Sequence, residues 1–146
     1  MRVFLDANIL FSAGKSAGAM RGFLEVLKSS GQTLVADAYV VEEARRNLEA
    51  KFPGSLQDFE GLLNQIEFSA TLRCFLPPGI APEMPEKDRP VLAAAIQRRG
   101  DVLLTGDKTH FGPFYGKSLE CVTIHSPASL AKQMGGESTD SASASA

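Results

Sequence analysis

Apolar residues crowd the first dozen positions of the chain. Val3, Phe4 and Leu5 run together, Asp6 interrupts them, and Ile9, Leu10 and Phe11 resume after Asn8. Apolar residues without alternation predict a strand covered on both faces. Such a strand has no inexpensive place for a carboxylate, because an ionised side chain taken out of water needs a positive partner or a dense set of hydrogen bonds. Asp6 therefore has two readings. It is a cap or turn residue just past a strand end, or it is a ligand of a divalent cation shared with acids from later in the chain.

Further along, Met20, Phe23, Leu24 and Leu27 fall on one helical face within 17–30, and Gly31 follows as a stop. Leu34, Val35 and Ala36 predict a second buried strand, with Asp37 standing where a helix N-cap would. The helix after it runs from Ala38 to Lys51 with Val41, Ala44 and Leu48 as its apolar stripe. Glu43 and Asn47 are four apart and share a face beside that stripe, so Glu43 can point over the sheet edge. Pro53 and Gly54 break the chain, and Ser55 with Asp58 resembles a capping box. Leu56, Phe59, Leu63 and Ile66 mark another amphipathic helix.

Residues 71–76 predict a third strand, followed by a loop holding Pro77, Pro78, Pro82 and Pro85. Pro90 suits the first turn of a helix that opens just after Asp88 and stops at Gly100. Val102 to Thr105 predict a fourth strand with a Gly106–Asp107 turn behind it, Val122 to Ile124 a fifth, and Pro127 to Met134 a closing helix. The end of the chain is a Ser- and Ala-rich low-complexity tail, expected to be disordered. The predicted organisation is one domain over 1–134 with a tail over 135–146.

Strands alternating with helices imply an α/β domain with a mainly parallel sheet. The chain's 146 residues and 44% apolar content suit one globular domain. No stretch reaches the ~18 apolar residues of a membrane span, and no basic segment followed by an apolar one reads as a secretory signal. A cytoplasmic protein without a membrane role is expected. Cys74 and Cys121 sit among apolar neighbours outside any metal or redox spacing and are read as reduced core residues. His110 and His125 lack a zinc motif and are read as surface or core-edge residues.

Ligands of open parallel sheets bind beyond the carboxyl ends of the strands. Asp6, late in the first strand, and Asp107, just after the fourth, belong to that edge. Glu43 and Asp88, in or beside the first turns of their helices, can reach it too. Each acid alone has an ordinary explanation: Asp88 as a residue favoured by the helix dipole, Asp107 as a turn residue, Glu43 as a solvated helix glutamate. Four together repel one another and would hold protons, unless a hard cation such as Mg²⁺ or Mn²⁺ takes their oxygens. The formal net charge is −2, and without these four acids the remainder is +2, a balance compatible with a nucleic-acid substrate without requiring one.

At these residues the chain resembles a known family. The segments Leu5-Asp6-Ala7-Asn8-Ile9-Leu10, Val41-Glu42-Glu43-Ala44-Arg45-Arg46-Asn47-Leu48, Lys87-Asp88-Arg89-Pro90-Val91-Leu92-Ala93-Ala94-Ala95 and Leu104-Thr105-Gly106-Asp107-Lys108 resemble, in order, the four motifs of PIN-domain proteins. Ser126-Pro127-Ala128-Ser129-Leu130 resembles a common ending of that family. The likeness spans about residues 2–134 and is strongest to the toxin-like branch paired with antitoxins, of VapC type.

The resemblance implies a PIN-like three-layer α/β/α fold with a four- to five-stranded sheet. It also implies a Mg²⁺- or Mn²⁺-dependent endoribonuclease acting on RNA, with a cognate antitoxin as partner and a homodimer open. It maps the metal-binding acids to Asp6, Glu43, Asp88 and Asp107. Glu42 is adjacent to Glu43, and the family pattern favours Glu43. Asn8 and Thr105 would orient the carboxylates, and Arg46 and Lys108 are candidate phosphate contacts. Asp37, where many relatives carry Ser or Thr, is an extra acid that could touch the metal through water. Two other readings stand beside the ribonuclease: a non-catalytic RNA- or protein-binding module of the same fold, and a phosphoacceptor signalling domain, which also clusters aspartates over a parallel sheet.

Overall fold

A computed structural model describes residues 1–69, 75–107 and 111–135. Its elements in chain order are β1 (Arg2–Leu5), α1 (Ala7–Lys15), α2 (Ala19–Ser29), β2 (Thr33–Asp37), α3 (Ala38–Lys51), α4 (Leu56–Leu63), β3 (Glu67–Ser69), α5 (Arg89–Gln97), β4 (Val102–Leu104), β5 (Ser118–Leu119) and β6 (Val122–His125). A last helix, α6, covers 127–135.

The strands form one sheet in the order β3-β2-β1-β4-β6-β5. All pairings are parallel except the short β5–β6 hairpin at one edge. The sheet thus has six strands rather than the four or five expected. Ser118–Leu119 is too short and too polar to announce a strand by itself, and it pairs because a tight turn folds it back on β6.

Chain order reverses at β1. The chain first moves outward through β2 and β3, then returns past both to lay β4 on the other side of β1. Right-handed crossovers put the helices of the outward leg on one face and α5, on the return leg, on the other. On the outward face α1 packs against α2, α3 and α4. The three layers follow from that handedness.

The central strands are apolar throughout because they are covered twice. Phe4, Leu5, Leu103 and Leu104 are fully buried, as are Leu10, Leu48 and Phe59 from the helices above. Burying such side chains is the main stabilising term, about 1.5–3 kcal/mol each. The α3 stripe holds Val41, Ala44 and Leu48 as expected, with Val40 added.

Several expectations need correction. Residues 7–15 are helical, so the apolar run of the first dozen positions divides at Asp6 into a four-residue strand and a helix. A fully buried helix turn and a buried strand look alike in sequence. Ser55 does not cap α4. Its hydroxyl donates to the Lys15 carbonyl at 2.9 Å instead, tying this corner to the end of α1. At the end of α5, Arg99 and not Gly100 takes the left-handed conformation, at φ 56°. Gly100 is needed for space: a Cβ there would stand 3.1 Å from the Ala95 carbonyl oxygen.

Cys121 is exposed on the β5–β6 turn with φ 71°, not a core residue. His125 is a core-edge residue as expected, its Nδ1 2.9 Å from the Ser129 hydroxyl. The expected strand over 71–76 falls mostly outside the described residues, and β3 precedes it at Glu67–Ser69. Cys74, Lys108, His110 and 136–146 also lie outside them. Among the described residues no helix is long and apolar enough to cross a membrane.

Candidate active site

The reversal at β1 opens a crevice beyond the carboxyl ends of β1 and β4, where open α/β sheets bind ligands. The register pairs Leu5 with Leu104, so Asp6 and Thr105 emerge side by side. The Asp6 amide donates to the Leu104 carbonyl at 3.0 Å, continuing the ladder one residue past the strand.

Asp6 is also the N-cap of α1, with its Oδ1 accepting the Ala7 amide at 2.7 Å. The cap reading of Asp6 is therefore correct as geometry, and it leaves Oδ2 for other partners. The Thr105 hydroxyl donates to Oδ2 at 2.8 Å. Asn8 lies above the pair. Its amide nitrogen is 3.4 Å from Asp6 Oδ2 and 3.3 Å from Thr105 Oγ1, while its Oδ1 accepts the Gly106 amide at 2.9 Å. The Asp107 amide in turn donates to Thr105 Oγ1 at 3.2 Å. One small network thus links the end of β1, the start of α1 and the loop after β4.

A cleft of about 230 Å³ opens over this network. Asp6, Glu43, Asp88 and Asp107 all line it, together with Asn8. Each arrives on a different element. Asp6 caps α1, Glu43 sits in the second turn of α3, Asp88 stands at the N-terminal end of α5, and Asp107 lies on the loop after β4. The helix end at Asp88 favours a negative charge. Glu42 faces elsewhere, in an exposed ion pair with Arg45, which settles which of the two adjacent glutamates faces the cleft. Asp37 is buried away from the cleft and caps α3 by accepting the Val40 amide at 3.1 Å.

Burial pushes the Asp6 carboxyl up to about 6, against the hydrogen bonds from Thr105 and Ala7 that favour its charged form. The carboxylates of Glu43 and Asp88 push in the same direction as burial. These acids therefore sense one another electrostatically. They do not yet form a cage: among the described residues no three His, Cys, Asp or Glu side chains stand close enough to enclose an ion in this arrangement. The donor set consists of carboxylate oxygens, which suits hard cations.

Other residues at the site carried little sequence signal. Lys51 and Lys87 line the cleft, as do Phe11 and Tyr39. Arg46 is exposed and does not line it. The Tyr115 hydroxyl donates to the Thr105 carbonyl at 3.3 Å. Burial raises its pKa, and the Asp107 and Asp6 carboxylates raise it further. Lys51 was legible as a position: Tyr39, Glu43, Asn47 and Lys51 are each four residues apart on α3 and all face the cleft.

No family model matches the chain, and no curated protein matches it. Solved structures do. The chain is similar to VapBC2 from Rickettsia felis, solved bound to a DNA fragment from its promoter, with a TM-score of 0.63 at 17% identity over 86% of this chain and 98% of that one. It is also similar to Mycobacterium tuberculosis VapC20, a toxin that cleaves the sarcin–ricin loop, with a TM-score of 0.54 at 10% identity over 80% of this chain and 98% of that one. At these identities the likeness shows the fold: the PIN-like α/β arrangement expected from the sequence is the fold of this chain.

Proposed function

We propose that this chain is a Mg²⁺- or Mn²⁺-dependent endoribonuclease of the VapC toxin kind, hydrolysing RNA phosphodiester bonds in the cleft between β1, β4 and α3. The observation that carries the reading is the lining of one cleft by Asp6, Glu43, Asp88 and Asp107 from four separate segments. Against these four carboxylates the same lining offers two ammonium groups, Lys51 and Lys87. At the carboxylates an RNA backbone meets net negative charge. A bound divalent cation reconciles the two, and oxygen donors suit Mg²⁺ or Mn²⁺.

When bound, such an ion supplies an activated water and stabilises charge developing on the phosphate. The chain's own residues do the positioning. Thr105 and Asn8 hold the Asp6 carboxylate in one orientation, as outer-shell groups do in metal sites. The second turn of α3 and the N-terminal end of α5 carry Glu43 and Asp88 to the same opening. Lys51 and Lys87 at the rim take flanking phosphates, the role the sequence assigns to Arg46 and Lys108. Lys108, one residue after Asp107, remains a candidate for the same work.

The toxin reading brings with it a cognate antitoxin and a cytoplasmic setting. Its support is the likeness to VapBC2 and to the sarcin–ricin-cleaving VapC20. The test of the whole reading is a cleavage assay on single-stranded RNA, with Mn²⁺ and with EDTA, using wild type and Asp6→Asn. Mn²⁺-dependent cleavage confined to the wild type is expected. Equal cleavage in EDTA, or full activity in Asp6→Asn, overturns it.

A further inference from the structure

The cleft does not end at the carboxylates. It follows α3, whose cleft-facing side reads Tyr39, Glu43, Asn47, Lys51. From Tyr39 to Lys51 this line is about 18 Å long at the helical rise, a length that several nucleotides of one strand span. The acid lies near one end and the cation at the other.

At the cation end the surface changes character. Phe52, next to Lys51, is 43% exposed. Its ring lies 5.8 Å from that of Phe11, tilted by 57°. Phe11 itself lines the cleft, with Lys51 Nζ 5.7 Å and Lys15 Nζ 5.8 Å from its ring centroid. Two aromatic rings and two ammonium groups thus meet at one corner, and Tyr39, 39% exposed, stands at the other end of the line.

Aromatic faces interleaved with cations are what single-stranded nucleic acid uses: bases stack on rings and phosphates meet the charges. We propose that this face of α3 is a single-strand RNA track, in which a base flanking the cut site stacks on Phe52 and its phosphate is held by Lys51 and Lys15. The proposal rests on the ribonuclease reading for its substrate, and it adds where the strand lies and which ring reads it. Bases inside a duplex have both faces covered by their neighbours, so the track favours unpaired RNA.

The test measures binding without cleavage. The full-length chain is titrated in EDTA into a fluorescein-labelled single-stranded decaribonucleotide carrying one 2-aminopurine. Phe52→Leu keeps the apolar bulk and removes the stacking face, and it is expected to weaken binding on the order of tenfold and to abolish 2-aminopurine quenching. Phe52→Tyr keeps the ring and both signals. Lys51→Ala is expected to reduce the salt dependence of log Kd by about 0.7, the share of one single-strand phosphate.

Equal affinity and equal quenching in wild type and Phe52→Leu overturn the proposal and leave the exposed corner to a protein segment. The two readings fail separately. Ring-dependent binding with no Mn²⁺-dependent cleavage sinks the ribonuclease and keeps the track. Cleavage with affinity indifferent to Phe52 does the reverse.

Discussion

The Thr105 hydroxyl donates to Asp6 Oδ2 at 2.8 Å, joining two residues 99 positions apart that the parallel β1–β4 pairing sets side by side. This bond favours the charged carboxylate against its burial. Thr105→Val keeps the shape and removes the donor. A hydrogen bond to a charged group is worth about 1.5–3 kcal/mol, and loss of an outer-shell partner lowers metal affinity or activity about 10–100-fold. Mn²⁺-dependent cleavage by Thr105→Val should fall within that range, and Thr105→Ser should recover most of it. An unchanged rate in Thr105→Val would show that Asp6 needs no such support.

Asp6 also makes the fold pH-dependent. Its carboxyl titrates near 6 in the native state against an ordinary value of 3.8. Between those values the native protein holds a proton that the unfolded chain has released. Stability is therefore greatest below about pH 4 on this account, and it is lost as pH rises through 6. In EDTA at pH 7.5, Asp6→Asn should be more stable than wild type by up to about 3 kcal/mol, and the difference should close near pH 4. Urea unfolding of both proteins at the two pH values measures it. A variant less stable than wild type at pH 7.5 would mean that the cap and Thr105 bonds outweigh the burial.

A cation that binds the native carboxylates and not the unfolded chain stabilises the fold by mass action, about 2.7 kcal/mol at a hundredfold excess over Kd. Mn²⁺ is accordingly expected to raise the melting temperature of the wild type, EDTA to reverse the shift, and Asp6→Asn and Asp107→Asn to respond weakly. Thermal melts that move equally in all three proteins would place the ion elsewhere.

Gly14 marks where α1 is pressed against its neighbours. A Cβ there would lie 2.8 Å from Phe59 Cδ1 and 3.0 Å from Leu48 Cδ1, both in fully buried side chains. Gly14→Ala gains helix propensity of about 1 kcal/mol, yet it overpacks a filled core at about 1–3 kcal/mol. Net destabilisation is expected, read as a lower denaturation midpoint with an unchanged slope.

Arg89 anchors the loop that delivers Asp88. Its guanidinium donates to the carbonyls of Ala81, Pro77 and Ile80 at 2.6, 2.9 and 3.0 Å. Arg89→Lys keeps the charge but cannot span three acceptors in one plane. It should lower cleavage through the position of Asp88 and Lys87 while the protein keeps its fold. Wild-type cleavage in Arg89→Lys would show that the loop holds its place without the fork.

Much of the architecture lay in local pattern. The α3 stripe of Val41, Ala44 and Leu48, the buried strands at Val3–Leu5 and Val102–Leu104, the Asp37 cap and the helix opening at Pro90 all follow from periodicity and backbone chemistry that neighbouring residues determine among themselves. The order of the four acids along the chain was equally legible. Local pattern failed where two structures share one signature. The run through Asp6 reads as a single strand because a buried helix turn is as apolar as a buried strand. Ser55 looks like a cap until Lys15, 40 residues away, offers its hydroxyl a carbonyl.

Tertiary structure decided the rest, because facing and proximity depend on residues far apart in sequence. Only the reversal of strand order at β1 sets Asp6 beside Thr105, and only the packing of α3 over that crevice turns Glu43 inward while Glu42 pairs with Arg45 at the surface. The same packing brings Lys51 and Phe11 to one rim, 40 positions apart. No motif records that meeting, since it exists only once the helices are packed.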